Sequence, residues 1–217
     1  MEVFMSSLVT GSSSVRLFIG NPDVSFCFDG QNHLSVTMDT EQLHITSVES
    51  KDCDDYVSLF GDAEVMGKYA TCQTKTREET EKRVNDSWVA RWHNNDPYSG
   101  LAVFKNDTDE FVGHVVLGYG DQPGQAELAY LFKKAHWGKG YGKETVTAVV
   151  REYAPALFKQ GYLLEGKSLE TITACARPDI PAAIKILEKV GMHKTGEGEK
   201  YGALRHHFAI ELSAIMA

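Results

Sequence analysis

AELAYLFKKAHWGKGYGKETVTAVV, residues 126–150, sets a short apolar run, a glycine-rich loop and an amphipathic run end to end. AELAYLF has the length and composition of a strand. Val146, Val149, Val150 and Tyr153 recur at helical spacing, so the chain from Glu144 onward reads as a helix. Between the two lie Gly138, Gly140 and Gly142 at alternate positions, with Lys139 and Lys143 beside them. A helix start exposes about four unpaired N–H groups and a partial positive charge. Glycines ahead of it let the backbone approach an anion without Cβ atoms in the way. A pyrophosphate is the natural occupant of such a loop; a plain strand-to-helix turn is the alternative.

The spacing excludes two familiar nucleotide loops. A GxxxxGK[ST] loop would need Ser or Thr after Lys143, where Glu144 stands, and a glycine at 137, where Trp137 stands. In a GxGxxG fingerprint the third glycine would fall on Lys143.

Working outward, TEQLHITSV predicts a strand, and Ser50 is a candidate cap for a helix carrying Tyr56, Leu59 and Phe60. Thr76 stands three residues before Glu79, a capping-box spacing, ahead of a stripe of Val84, Trp88, Val89 and Trp92. NDTDE separates two strands as a hairpin turn. Downstream, Pro155 is expected to kink or end the helix after the glycine loop. SLETITACA reads as a strand, and Pro181 and Gly191 bracket a last core helix. The tail reads as two strands around a glycine-rich turn. The fold class is therefore α/β, a mixed sheet with helices on its faces. Residues 1–38 read as an N-terminal extension of short strands or a loose arm; residues 39–217 read as the domain.

Composition agrees with one ordinary domain. The chain has 217 residues, 42% hydrophobic and 24% charged, with a net charge of −8. That charge argues against gripping nucleic-acid phosphates. No apolar run reaches the roughly 18 residues of a membrane span, and the N-terminus lacks a basic, then apolar, signal pattern. A cytoplasmic protein with free Cys27, Cys53, Cys72 and Cys175 is expected, without a metal. His206 and His207 are adjacent and would point apart on a strand.

The strand Glu127-Leu128-Ala129-Tyr130, the loop Trp137 to Gly142 and the helix end Leu187 to Met192 together resemble the GNAT N-acetyltransferase superfamily. Within it the closer likeness is to the RimJ/RimL-like ribosomal-protein branch. TEQLHITSV and FGDAEVMGKY resemble that branch's opening strand and the segment after its first helix. The likeness covers roughly residues 39 to 213.

The resemblance implies a mainly antiparallel sheet with strands splayed around a coenzyme A slot. It implies acetyl-CoA as co-substrate. Its pyrophosphate would lie on Gly138, Lys139, Gly140, Tyr141, Gly142 and Lys143, and its pantetheine arm along Tyr130, Leu131 and Phe132. Glu127 would be the base that takes the amine proton, a strand-edge carboxylate in a structural hydrogen bond being the alternative, with oxyanion help from an N–H near Phe132. The acceptor would be a protein N-terminus or a small amine, and a homodimer is compatible with the resemblance. The segment Arg177 to Ala183 departs from the branch: Ile180 stands where Asn is expected and Ala183 where Ser is expected. Neither side chain can hydrogen-bond, so the thiolate would take its proton from elsewhere, with Tyr201 the candidate donor, or from water. A CoA-binding module with weak or lost catalysis is the alternative.

Overall fold

The computed structural model describes residues 24–217; residues 1–23 of the extension lie outside the described residues. Strands β1 (Val24–Phe28), β2 (Leu34–Asp39), β3 (Leu43–Ser47), β4 (Gly100–Lys105), β5 (Phe111–Tyr119) and β6 (Gln125–Phe132) form a meander. β9 (Thr171–Ala176), β11 (Ala203–Glu211) and β10 (His193–Lys200) complete one nine-stranded sheet in the order β1-β2-β3-β4-β5-β6-β9-β11-β10. A small hairpin, β7 (Leu163–Leu164) with β8 (Lys167–Ser168), stands apart from it and has no counterpart in the sequence reading. Every pairing in the large sheet is antiparallel except β6 with β9.

Strand periodicity divides the interior in two. On β4, Leu101 and Val103 join one core while Ala102 joins the other. The first core lies under α5 (Tyr141–Ala148), α6 (Ala154–Lys159) and α7 (Pro181–Lys189), and the second under α1 (Cys53–Gly61) and α2 (Ala63–Met66). A helical run, α3 (Arg77–Lys82), a π turn at Arg83–Val89 and α4 (Ala90–His93), closes the second core with Val84, Trp88 and Val89. Helices thus cover both faces, as the alternation requires. A short terminal helix, α8 (Leu212–Met216), follows β11.

Local signals are met where the hydrogen bonds are local. Thr76 Oγ1 accepts from the Glu79 N–H at 3.2 Å and Glu79 Oε2 accepts from the Thr76 N–H at 2.8 Å. Pro181 opens α7, and Gly191 follows it at φ 98°. Ser50 does not cap: Glu49 and Asp52 form the capping box instead, one residue earlier, and Ser50 donates to Asn85 at 2.7 Å. Pro155 neither ends nor breaks its helix. The run continues through a π turn, Val149–Tyr153, in which the Ala154 N–H reaches back to the Val149 carbonyl. That wider turn makes room for a residue with no N–H, and the helix resumes to Lys159.

The boundary between residues 38 and 39 falls inside β2. Val24, Phe26, Leu34, Val36 and Met38 are buried in the first core, and the Phe26 ring lies 5.9 Å from that of Tyr162. Phe26→Ala should therefore cost about 3–5 kcal/mol of unfolding free energy in urea titration. A loosely attached arm would change it by no more than about 0.5 kcal/mol.

Candidate active site

β6 and β9 pair from Gln125–Thr171 to Leu128–Ala174 and no further. Beyond Leu128, β6 continues to Phe132 paired on its other side with β5 alone, as far as Gly113–Phe132. Among the described residues its second edge is thus open over Ala129 to Phe132. The strands part into a slot lined by Tyr130, Cys175, Ile180, Ala183 and Leu187. Tyr130, Leu131 and Phe132 all lie on this parting strand. The Tyr130 hydroxyl crosses to donate to the Ala183 carbonyl at 3.3 Å. Burial raises its pKa, so it stays protonated. The Phe132 carbonyl is already used: the Trp137 indole N–H donates to it at 2.9 Å, which ties the loop to the strand end.

The glycine loop follows the end of β6, and its Gly140 and Lys143 line a neighbouring hollow with Thr40, Gln42 and Glu144. Gly138 has φ 77° and Gly140 φ 91°, a region that side chains with a Cβ avoid. A Cβ at either would meet nothing within 4 Å, so the loop faces open space. The first intrahelical bond comes from the Glu144 N–H to Gly140 at 3.0 Å. The N–H groups of Gly138 to Lys143 have no backbone acceptor among the described residues. Gly142 is different: its Cβ would lie 3.2 Å from Ile186, so this glycine lets α5 approach α7. Glu144 holds the helix start in place. It accepts from Thr40 Oγ1 at 2.6 Å and from the Gln42 N–H and side chain at 2.7 Å each.

A second hollow lies between the helical run 77–93 and the sheet, walled by Phe60, Tyr69 and Trp88. His114 is buried among these rings, 4.9 Å from Trp88 and 5.7 Å from Phe60. Burial first, and Arg83 second, lower its pKa to about 3, so the ring is uncharged at neutral pH. The slot and this groove share five lining residues: Tyr69, Ala70, Glu127, Ala129 and Tyr201. Glu127 and Tyr201, 74 positions apart in the chain by their numbers, therefore stand where the two hollows meet.

Lys200 anchors Glu127, with Nζ 2.6 Å from Oε1 and both side chains about a quarter exposed. Burial is the largest influence on Lys200 and works against its charge, yet the hydrogen bond to Glu127 and the charges of Glu127, Tyr201 and Cys175 together hold the ammonium above its ordinary range. Tyr201 and Gly202 make the two-residue turn between β10 and β11, with φ 58° and 73°. Such a turn favours Asn-Gly, and a bulky Tyr in this conformation is strained. Burial, then the Glu127 charge, raise the Tyr201 pKa, so its hydroxyl is protonated at neutral pH.

Several residues at the junction carried no role in the sequence reading. Tyr69 sits on the loop after α2, within the FGDAEVMGKY stretch, and burial raises its phenol to about 12. Two arginines from the far half of the chain hold this loop. Arg177 donates to the Gly67 carbonyl at 3.2 Å, and buried Arg205 donates to the Ala70 carbonyl. Lys200 is the other omission; nothing in its sequence surroundings marks it as the partner of Glu127. Ile180 is the N-cap of α7 and makes no side-chain cap. With Ala183 it offers the slot only apolar surface. His206 pairs loosely with Glu197 at 3.6 Å. Among the described residues no three His, Cys, Asp or Glu gather as metal ligands, and no helix is long and apolar enough to cross a membrane.

Known proteins share this fold. The family described as Acetyltransferase (GNAT) domain matches residues 42–193. An uncharacterized N-acetyltransferase, p20 of Bacillus licheniformis, is 28% identical over 52% of this chain; the match spans 64% of that relative's length. A GNAT-family acetyltransferase structure from Bacillus anthracis superposes with a TM-score of 0.66 at 23% identity, covering 82% of this chain and 99% of that one. A ribosomal-protein-S5-alanine acetyltransferase from Vibrio fischeri (TM-score 0.62, 16% identity) covers 81% of this chain and 96% of that one. Spermidine N-acetyltransferase from Vibrio cholerae, in complex with CoA and spermine, gives TM-score 0.62 at 17% identity, covering 82% and 100%. These structures share the fold. With the family match spanning most of the chain, it follows that this protein belongs to the GNAT acetyltransferase domain family, the acetyl-CoA-dependent acyltransferases.

Proposed function

We propose that this protein moves an acetyl group from acetyl-CoA directly onto a primary amine, with the donor in the slot and the acceptor in the groove. The observation that carries the reading is the end of β6–β9 pairing at Leu128–Ala174, which leaves a strand edge open beside an anion-ready loop. The unpaired N–H groups of Gly138 to Lys143, with Lys139 and Lys143, fit a pyrophosphate. The edge of Ala129 to Phe132 fits a pantetheine arm laid along it as a part-strand. Bound there, acetyl-CoA supplies the thioester.

The residues then divide the proton work. The amine nitrogen attacks the acetyl carbonyl carbon; a C–N bond forms and the C–S bond breaks. Glu127, directly or through a water, takes the proton the nitrogen loses. An α-amine, with pKa near about 8, needs little help to be neutral, whereas a lysine amine near about 10.4 needs more. The protonated Tyr201 hydroxyl gives a proton to the departing sulfur, the task that Ile180 and Ala183 cannot perform. A backbone N–H near Phe132 steadies the oxyanion. The RimJ/RimL-like likeness in the loop and the α7 end favours a protein N-terminus among the acceptors. Ribosomal-protein and spermidine acetyltransferases both share the fold, so the fold alone does not choose between them.

The donor site is tested at Gly140. A valine there would be strained at φ 91°, and its side chain would project into the open cradle rather than into the protein. The unmodified chain should gain thermal stability with CoA; Gly140→Val should lose that gain while still unfolding cooperatively. A CoA-dependent rise that survives the substitution would place the pyrophosphate elsewhere.

A further inference from the structure

We infer that the acceptor bears a carboxylate near its amine, and that Arg83 and Lys75 receive that carboxylate in the groove. This rests on the transfer reading above. The groove is lined by three cations, Lys75, Arg83 and Arg91, and among the described residues by one carboxylate, Glu127. That excess of positive charge stands out on a chain of net charge −8. Two of the four charges are already committed. Glu127 pairs with Lys200 at 2.6 Å. Arg91 donates to the Tyr98 carbonyl at 2.8 Å, lies over the Tyr119 ring and approaches Asp96 at 3.9 Å.

Arg83 and Lys75 have no carboxylate within 4.0 Å among the described residues. Arg83 is nonetheless held in place. Its guanidinium lies over the Trp88 ring, 5.2 Å from the centroid, a cation–π contact that consumes no N–H group. Arg83 opens the π turn Arg83–Val89, and Ser87 and Trp88 of the same turn also line the groove. Such turns recur at binding sites because they re-aim side chains out of the helical ladder. A planar guanidinium held over a ring, with a lysine nearby, suits bidentate capture of a carboxylate. A polyamine would bring more positive charge into this groove. The carboxylate can belong to a small amino acid or to an acidic residue just after a peptide N-terminus.

Matched acceptors test the inference by thiol release from acetyl-CoA, using the full chain. The small-molecule pair is 4-aminobutyrate and 1,4-diaminobutane; the peptide pair is Ala-Glu-Ala amide and Ala-Gln-Ala amide; spermidine is the cationic arm. In at least one pair the carboxylate member should have kcat/KM about tenfold or more above its partner, the scale of one charge-assisted bond. Whichever pair shows it identifies the source. Arg83→Gln should raise KM for that acceptor about tenfold, leave kcat within twofold, and erase the preference; Lys75→Gln should do the same more weakly. Preference for the neutral or cationic members, or an Arg83→Gln loss equal for both members of a pair, would overturn the carboxylate alone. No turnover of any acceptor, with the CoA-dependent stabilisation intact, would overturn the transfer reading and this inference with it.

Discussion

Glu127→Gln is expected to lower kcat by about 10²–10⁴-fold, the usual worth of a positioned acid or base. The CoA-dependent thermal shift should change little, because Glu127 stands at the junction with the groove, outside the glycine loop and the open edge of Ala129 to Phe132. Gln keeps the shape of Glu and can still accept from Lys200, so the fold keeps that contact and loses only the charge opposite the ammonium. It cannot accept the proton that the amine must lose. Steady-state thiol release at saturating acceptor measures the effect. A merely structural Glu127 would behave differently: among the described residues its side chain has one hydrogen-bond partner, Lys200, at 2.6 Å. In that case Lys200→Met would cause the same loss as Glu127→Gln, and both would shift melting rather than turnover. If kcat falls less than about fivefold in Glu127→Gln, the base lies elsewhere, against the scale such a group contributes.

Gly113→Ala is the second large effect, and it falls on stability. A Cβ at residue 113 would lie 2.3 Å from the Leu131 carbonyl oxygen and 2.8 Å from the Phe132 Cα. Both contacts are backbone, so no flexible side chain can swing aside. β5 would have to part from β6 at the end of β6, the stretch whose other edge is open. The expected cost is about 3 kcal/mol or more, the upper range of overpacking, read by urea unfolding. CoA affinity should fall with it, since the displaced segment is the proposed pantetheine edge. Gly61→Ala is the matched control: its Cβ meets nothing within 4 Å at the end of α1, and stability should move by no more than about 1 kcal/mol. Equal stability of the two variants would show that β5 and β6 can separate there without cost.

The proposed donor half of the site is more legible in the chain than the proposed acceptor half. A strand, a glycine loop and a helix start are consecutive, and their chemistry depends on backbone groups within a few residues of one another. Gly138 and Gly140 take positive φ because the turn into α5 needs it. Gly142 belongs to the same run of unpaired N–H groups, and in addition it lets α5 pack against Ile186. The pattern of glycines cannot distinguish these uses, because the contact that separates them comes from a helix more than forty residues on. Similarly, Trp88 and Trp92 share a helical stripe in the sequence. In the structure Trp92 enters the first core, while Trp88 walls the groove under Arg83. The π turn between Arg83 and Val89 rotates the face, and periodicity assumes a regular helix.

The amino-acid sequence by itself determined the mixed sheet, the hairpins, the helix caps at Thr76 and around α7, and the anion-ready loop. Each of these rests on alternation or on hydrogen bonds that close within about four residues. The tertiary structure alone decided where β6 leaves β9, that Lys200 meets Glu127, and that Tyr69, Tyr201 and Arg83 face a shared space. It also carried the helix through Pro155, where packing of Tyr153 and Leu157 in the core holds a widened turn that local preference disfavours. Those features depend on contacts between residues tens of positions apart, formed only once two cores close on opposite faces of one sheet.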